Sequence, residues 1–250
     1  MVSHDIGEHL TRAKNSLDHD LSSLAAHASL AGGISELELE RVPPRKDMFL
    51  NFGQGPTSDD WERFDMHASR YAVISMVTSF EVYIERLYFL TLLMTHSQEH
   101  GVVITYNELS QYRETARKMA RNSNPPGMLS LVKEELGITE ELRSEPWILS
   151  IYAVRKVLAH RGGVVGEFDV DDNDELVVTW QTVEVGQNTG GEQVLRFIDS
   201  SRVYRLGDIL EISPEDCQEI AFSFGFCADQ LTQLFIKKTQ DILSSTSNSE

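Results

Sequence analysis

The fold is decided by residues 57–96, which read TSDDWERFDMHASRYAVISMVTSFEVYIERLYFLTLLMTH. Residues 57–60 supply N-caps and first-turn carboxylates for a helix. The apolar side chains of this stretch cover more than half of a helix circumference, which is typical of a helix packed on several sides. They are Phe64, Tyr71, Ile74, Val77, Phe80, Ile84, Leu87, Tyr88 and Met94. We therefore expect one long helix at the centre of the fold.

Helical periodicity and capping residues predict five further helices around this one. The first runs from His4 to about Leu30 and is expected to end at Gly32-Gly33. The last opens at Ser213-Pro214 and runs to about Leu243. The other three are predicted at residues 106–121, 128–136 and 146–160. Residues 34–57 contain Pro43-Pro44 and several glycines, so we expect an ordered loop there.

After Gly162-Gly163 the residue pattern changes from helical periodicity to short apolar and β-branched runs, which indicates a small β structure. Apolar and β-branched runs at residues 176–185 and 194–198 flank the turn-rich residues 186–191, a pattern that predicts a hairpin. Residues 164–170 and 209–212 are candidates to extend it. The sequence thus predicts one mainly α domain over residues 1–250, an antiparallel helical bundle with a β-hairpin insert before the last helix. Its parts are residues 1–56 (first helix and loop), 57–163 (core), 164–212 (β insert), 213–243 (closing helix) and 244–250 (tail).

Composition limits the classes of protein to consider. The 250 residues are 41% hydrophobic and 24% charged, which is ordinary for a chain that folds by itself. The longest apolar run, Leu87 to Met94, is too short to cross a bilayer, and the first ten residues lack a secretory signal, so we expect a cytoplasmic protein without a membrane partner. The 39 acidic and 22 basic residues give a formal net charge of −17, which disfavours DNA. Screening over about 8 Å still allows a local basic site to bind RNA.

The residues best suited to chemistry lie at the end of the helix predicted at 146–160. The segment from Arg155 to Gly163 reads RKVLAHRGG. Cleavage of RNA without a metal needs a group that moves protons near neutral pH, which suits His160, and a permanent cation for the phosphate, which suits Arg155. Five residues of helix separate the two by about 140° and about 7.5 Å along the axis. One straight helix does not easily converge them, and a long reach of the arginine, a loosened helix end before Gly162 or a partner protomer would each solve this.

This Arg-x4-His segment resembles the signature of HEPN domains, and SFEVYIERL at residues 79–87 resembles a second-helix segment of the RiboL-PSP type of that superfamily. The resemblance implies a helical bundle, a homodimer and a metal-independent ribonuclease whose active pair, Arg155 and His160, comes from both protomers. It also implies an RNA substrate, no cofactor and a role in a prokaryotic toxin, stress or phage-defence system, with an antitoxin or other protein partner left open. Many active members have Asn, Asp or His where this chain has Lys156. The alternative is a catalytically inactive module that binds a protein partner or nucleotide.

Three further residues, Glu81, Tyr152 and Lys156, are candidates to support the site, and Lys156 would add positive charge to the shared cleft. Glu81 shares a helix stripe with apolar residues and is expected to need a partner, either as an anchor that orients Arg155 or as a partly exposed carboxylate. Tyr152 lies one turn before Arg155 and either lines the same cleft or belongs to the core. In a purely structural interpretation, Arg155 pairs with Glu81 while His160 caps its own helix.

Basic residues on the helix at 106–121 form a stripe in an otherwise acidic chain. They are Arg113, Arg117, Lys118 and Arg121. Together with Arg161 they are candidate contacts for an RNA backbone, or they form a solvated face. His96 and His100 have the spacing of a helical metal pair but lack the glutamate of that motif, so we expect solvated surface and no metal site.

The geometry of the pair predicts a two-fold dimer. Two copies of the helix at 146–160 would place four side chains, two from Arg155 and two from His160, around one cleft. The same interface is expected to cover apolar surface on Trp147, Ile151 and Tyr152.

Overall fold

The structure, a computed structural model, describes residues 2–35, 58–100, 103–187 and 192–247. Within these ranges the chain forms six helices and one two-stranded sheet. The helices are α1 (Val2–Ser35), α2 (Ser58–His100), α3 (Tyr106–Asn122), α4 (Pro125–Leu136), α5 (Glu145–Arg161) and α6 (Pro214–Ser247). The strands are β1 (Glu175–Gln187) and β2 (Gln193–Arg205). The predicted mainly α fold with a small antiparallel hairpin before the last helix is confirmed.

The central element is α2, which contacts each of the other five helices. Its side chains Met76, Phe80, Ile84 and Leu87 are fully buried. The Tyr83 hydroxyl, also buried, donates a hydrogen bond of 3.0 Å to the carbonyl of residue 228 on α6. Apolar residues on several sides of one helix can be buried only if neighbours pack on all those sides, so the predicted central helix is confirmed.

The ends of the shorter helices follow from local chemistry. Thr105 and Glu108 form a capping box that starts α3. The Asn124 side chain accepts from the backbone N–H of Gly127, so α4 begins at its first proline, earlier than the predicted residue 128. The predicted stop of α1 at Gly32-Gly33 is wrong, because the helix continues to Ser35.

The two strands pair in antiparallel register, with Trp180 opposite Ser200 and Val183 opposite Phe197. The hairpin packs on α5 and α6. Its Trp180 side chain is fully buried and donates an indole N–H hydrogen bond of 2.5 Å to Glu219 on α6. The hairpin and the helices thus share one hydrophobic core.

The proposed extension of the hairpin forms only in part. Val164 and Ile209 make a single isolated antiparallel bridge. The rest of residues 164–170 is turn and irregular backbone, in which Asp169 accepts the N–H of Gly166. By contrast, β2 continues to Arg205, well beyond the predicted residue 198.

Some expectations fall outside the described residues. The predicted loop at 34–57 lies outside them from residue 36 onward, as do residues 188–191 of the hairpin turn and residues 248–250 of the tail. Among the helices that the structure describes, none combines the length and apolarity needed to cross a bilayer.

Candidate functional site

The C-terminal end of α5 is built by two glycines and one arginine from α2. Gly162 and Gly163 adopt positive φ angles of 62° and 91°. The Arg70 guanidinium donates a 2.9 Å hydrogen bond to the Gly162 carbonyl. A Cβ added at Gly163 would stand 2.7 Å from the Arg70 guanidinium carbon. The glycines therefore serve a left-handed helix end against which a side chain packs.

Arg155 is half-buried on α5 and interacts electrostatically with Glu81 on α2. Burial raises the pKa of the Glu81 carboxyl, and the nearby positive charge of Arg155 opposes that rise without cancelling it. The described residues provide no ion pair within 4.0 Å for either side chain, and the Arg155 Nε is buried without a hydrogen-bond partner. The two predicted partners face each other without direct contact.

His160 lies exposed in the last turn of α5. Within the described ranges its ring makes no hydrogen bond or ion pair, so it does not act as the helix cap that the purely structural interpretation gave it; that place belongs to Arg70. The partial negative charge at a helix C-terminus favours a cation there. The exposed ring is accessible to a ligand.

A single protomer points Arg155 and His160 in different directions. Arg155 faces α2, whereas His160 belongs to an exposed stripe of α5 that includes Leu149, Lys156 and Ala159. Their separation of about 7.5 Å and about 140° along one helix adds to this divergence. Within the described protomer the two side chains therefore lie on different faces of α5.

The apolar surface expected at a dimer interface is mostly used inside the protomer. Trp147 and Ile151 are only 3% and 0% exposed. The Trp147 indole N–H donates a 3.0 Å hydrogen bond to Asp199 of the hairpin. Tyr152 is half-buried and packs against the core. The expectation that a dimer interface covers Trp147 and Ile151 is therefore wrong, because the hairpin and the helical bundle of the same protomer already bury them.

Arg161, a candidate contact for an RNA backbone, has two neighbours within the protomer. It forms an ion pair with Asp169, whose side chain is 4% exposed, and its guanidinium lies 5.8 Å from the Phe168 ring centre. These contacts fix the turn that follows α5.

The basic stripe of α3 borders the Glu81 region. Its four residues, 113, 117, 118 and 121, are all exposed. Arg117 and Arg121 line a cleft of about 320 Å³ together with Glu81 and Glu85 of α2. Glu81 therefore lies between Arg155 on one side and this cleft on the other.

His96 is buried, so the expectation that it is solvated surface is wrong. Its side chain is 4% exposed, and its Nδ1 lies 2.8 Å from the Tyr112 hydroxyl of α3. The His100 ring is 5.0 Å from that of His96 and remains exposed. No group of three or more potential metal-binding side chains is found in the described part of the chain.

Arg70 is the site residue that sequence reasoning missed. Its partner Gly162 is 92 residues away in the chain, and no local pattern marks it. The only signal was indirect, since two consecutive glycines after a helix indicate a backbone that another group approaches closely.

Comparisons of the chain with family models, curated proteins and solved structures found no match.

Proposed function

We propose that this chain is a HEPN-like, metal-independent endoribonuclease of a prokaryotic toxin, stress or phage-defence system, and that it acts as a homodimer with a composite Arg155/His160 site. One observation carries the proposal. Glu81 and Arg155, from the two distant segments on which the resemblance rests, interact electrostatically across α2 and α5. The mainly helical bundle supports the same assignment.

The chemistry divides between the two side chains. The RNA 2′-hydroxyl attacks the neighbouring phosphorus, the bond to the 5′-oxygen breaks, and a 2′,3′-cyclic phosphate remains. Neutral His160 takes the proton of the 2′-hydroxyl while water protonates the leaving 5′-oxygen, or protonated His160 gives a proton to the leaving 5′-oxygen while water takes that of the 2′-hydroxyl. Arg155 stabilises the charge that grows on the non-bridging phosphate oxygens. The exposure of His160 leaves its ring accessible to such a substrate.

The homodimer is supported by the positions of Arg155 and His160, which lie on different faces of α5 in one protomer. The exposed stripe of α5 carries His160 and Lys156, and its small residue Ala159 permits close approach of a second helix. In a two-fold arrangement His160 of one protomer can meet Arg155 of the other. The cleft then concentrates positive charge within a chain of formal net charge −17.

The test is cleavage of a defined RNA by the purified protein in EDTA. We expect wild-type protein to leave 2′,3′-cyclic phosphate ends, and Arg155→Ala and His160→Ala to lower the rate by about 10²–10⁴-fold. His19→Ala, at an exposed position on α1, is the matched control and keeps full activity. Equal cleavage by all four proteins would indicate a contaminating nuclease and overturn the proposal.

A second candidate function is a catalytically inactive HEPN-like module that binds a protein partner or nucleotide. The observation that favours it is the half-buried position of Arg155, whose Nε is enclosed without a partner. This module would be favoured if the wild-type protein is folded and dimeric but cleaves no RNA, and if mutation of His160 changes neither its fold nor its dimerisation.

A further inference from the structure

A groove between α1, α2 and α3 lies outside the proposed ribonuclease site. It encloses about 530 Å³. Its floor is apolar and comes from all three helices, with Ala13 of α1, Leu90 and Leu93 of α2, and Leu109 and Ala116 of α3. Neither Arg155 nor His160 lines it. An apolar depression of this kind suits the side chains of another molecule.

The rim of the groove is positively charged on every side. It is formed by Arg12 of α1, Arg86 of α2, and Arg113 and Arg117 of α3, all of them exposed. Glu85 is the one carboxylate that lines the groove. Within the described residues, only Arg12 among these four arginines forms an ion pair. In a chain of formal net charge −17, this local excess of unpaired cations is complementary to an acidic ligand.

The floor favours aliphatic side chains over nucleic-acid bases. Phe89 and the exposed His9 are the two rings that line the groove, and the Arg113 guanidinium lies 5.8 Å from the Phe89 ring centre. Arg113 thus occupies the ring face on which a base would stack, and the remaining floor is aliphatic. Binding of a single-stranded RNA needs stacking surfaces as well as cations, whereas a helix needs an apolar trough.

We propose that this groove docks an acidic amphipathic helix from a protein partner. The aliphatic face of that helix lies on the floor, and its glutamates or aspartates meet the rim arginines. Arg113 and Arg117 are one turn apart on α3, so they match carboxylates spaced one turn apart on the docked helix. Such a partner binds through shape and charge, and its binding does not require cleavage of RNA.

The test uses a fluorescein-labelled synthetic peptide of about 16 residues, which as a helix is about 24 Å long. One face carries leucines at helical spacing and both flanks carry glutamates. Fluorescence anisotropy with the full chain should show saturable binding. Arg113→Glu with Arg117→Glu should weaken it by about tenfold or more, because two attractive contacts become repulsive.

The matched control is Arg143→Glu with Arg196→Glu, which makes the same change of charge at exposed positions away from the groove. It should bind the peptide like wild type, and thermal melts should show that both double variants fold. Equal affinity of the two double variants, or equal affinity for a peptide with lysine flanks, would overturn the proposal. Two other results would overturn it as well. One is binding that weakens as the concentration of the chain rises, because a second copy would then occupy the groove. The other is displacement of the peptide by a single-stranded RNA that binds more tightly.

Discussion

At the scale of single residues, the end of α5 depends on the contact of Arg70 with Gly162 and Gly163. Arg70 donates to the Gly162 carbonyl and its guanidinium occupies the space beside Gly163. The contact joins α2 to the segment that carries His160. Substitutions at the two glycines therefore separate backbone strain from loss of this contact.

Gly163→Ala should destabilise the protein more than Gly162→Ala. Both positions have positive φ, which costs an alanine about 1 kcal/mol. At Gly163 the added Cβ also stands 2.7 Å from the Arg70 guanidinium, whereas nothing lies within 4 Å at Gly162. We expect a loss of about 1 kcal/mol at Gly162 and about 2 to 3 kcal/mol at Gly163 in urea unfolding. Equal losses would show that Arg70 moves aside freely.

Glu81→Gln should make the protein at least as stable as wild type at pH 7. Burial raises the Glu81 pKa in the folded state, so the contribution of this group to stability is complete below its ordinary pKa and is lost as pH rises through the raised value. Glutamine stays neutral and keeps that contribution. The advantage of the variant should shrink as pH falls through the raised pKa towards the ordinary range of a glutamate carboxyl, because wild-type Glu81 is then protonated as well.

Urea unfolding of both proteins between pH 4 and pH 7 checks this, with the exposed Glu134→Gln as the control. The opposite result is expected if Glu81 anchors Arg155, because loss of a buried partner leaves the arginine uncompensated at a cost of several kcal/mol. A large loss of stability at pH 7 would restore that interpretation.

At the scale of elements, the hairpin is fastened to α6 by a buried carboxylate. Asp216 in the first turn of α6 accepts two hydrogen bonds, of 2.7 and 2.6 Å, from Arg202 on β2. It also accepts one of 2.8 Å from the backbone N–H of Ser213. The Arg202 guanidinium lies 5.3 Å from the ring centre of the buried Trp180. One side chain thus caps a helix and positions a strand.

Asp216→Ala should cost about 2 to 3 kcal/mol of stability, since it leaves a guanidinium and a backbone N–H without their acceptor. The figure is below that of a fully buried ion pair because the Arg202 side chain is 42% exposed. Asp172→Ala, at an exposed position before β1, should change stability by less than about 0.5 kcal/mol. Thermal unfolding measures both, and similar melting temperatures would contradict this role of Asp216.

The elements also show what could be predicted from sequence. Helical periodicity predicted the bounds of α3 and α5 to within a residue, and the structure places caps at Thr105 and Gly162. The prediction ended β2 at residue 198 because residues 199–202 are polar and lack the apolar pattern of a strand. Their place in β2 comes from pairing with β1. The burial of His96 depends on Tyr112, sixteen residues further along the chain. Contacts between elements leave no local pattern, which is why these features and Arg70 escaped the sequence analysis.

At the scale of the whole molecule, the described protomer holds the parts of the proposed site but does not assemble them. Arg155 faces Glu81 inside the bundle, while His160 lies exposed at the helix end. A two-fold dimer in which the exposed stripe of one α5 reaches the edge of the other α5 that carries Arg155 would complete the site from two chains. We therefore propose that each active site takes its arginine and its histidine from different protomers.

Subunit complementation tests that claim most directly. Arg155→Ala and His160→Ala proteins are unfolded together, refolded as a mixture and assayed for RNA cleavage in EDTA. Half of the dimers in an equal mixture are mixed, and each mixed dimer holds one intact site in two, so we expect about a quarter of wild-type activity while each variant alone is inactive. Light scattering on the same samples should report a dimer. A dimeric mixture that stays inactive beside an active wild type would contradict the composite site, and a monomeric wild type would contradict it as well.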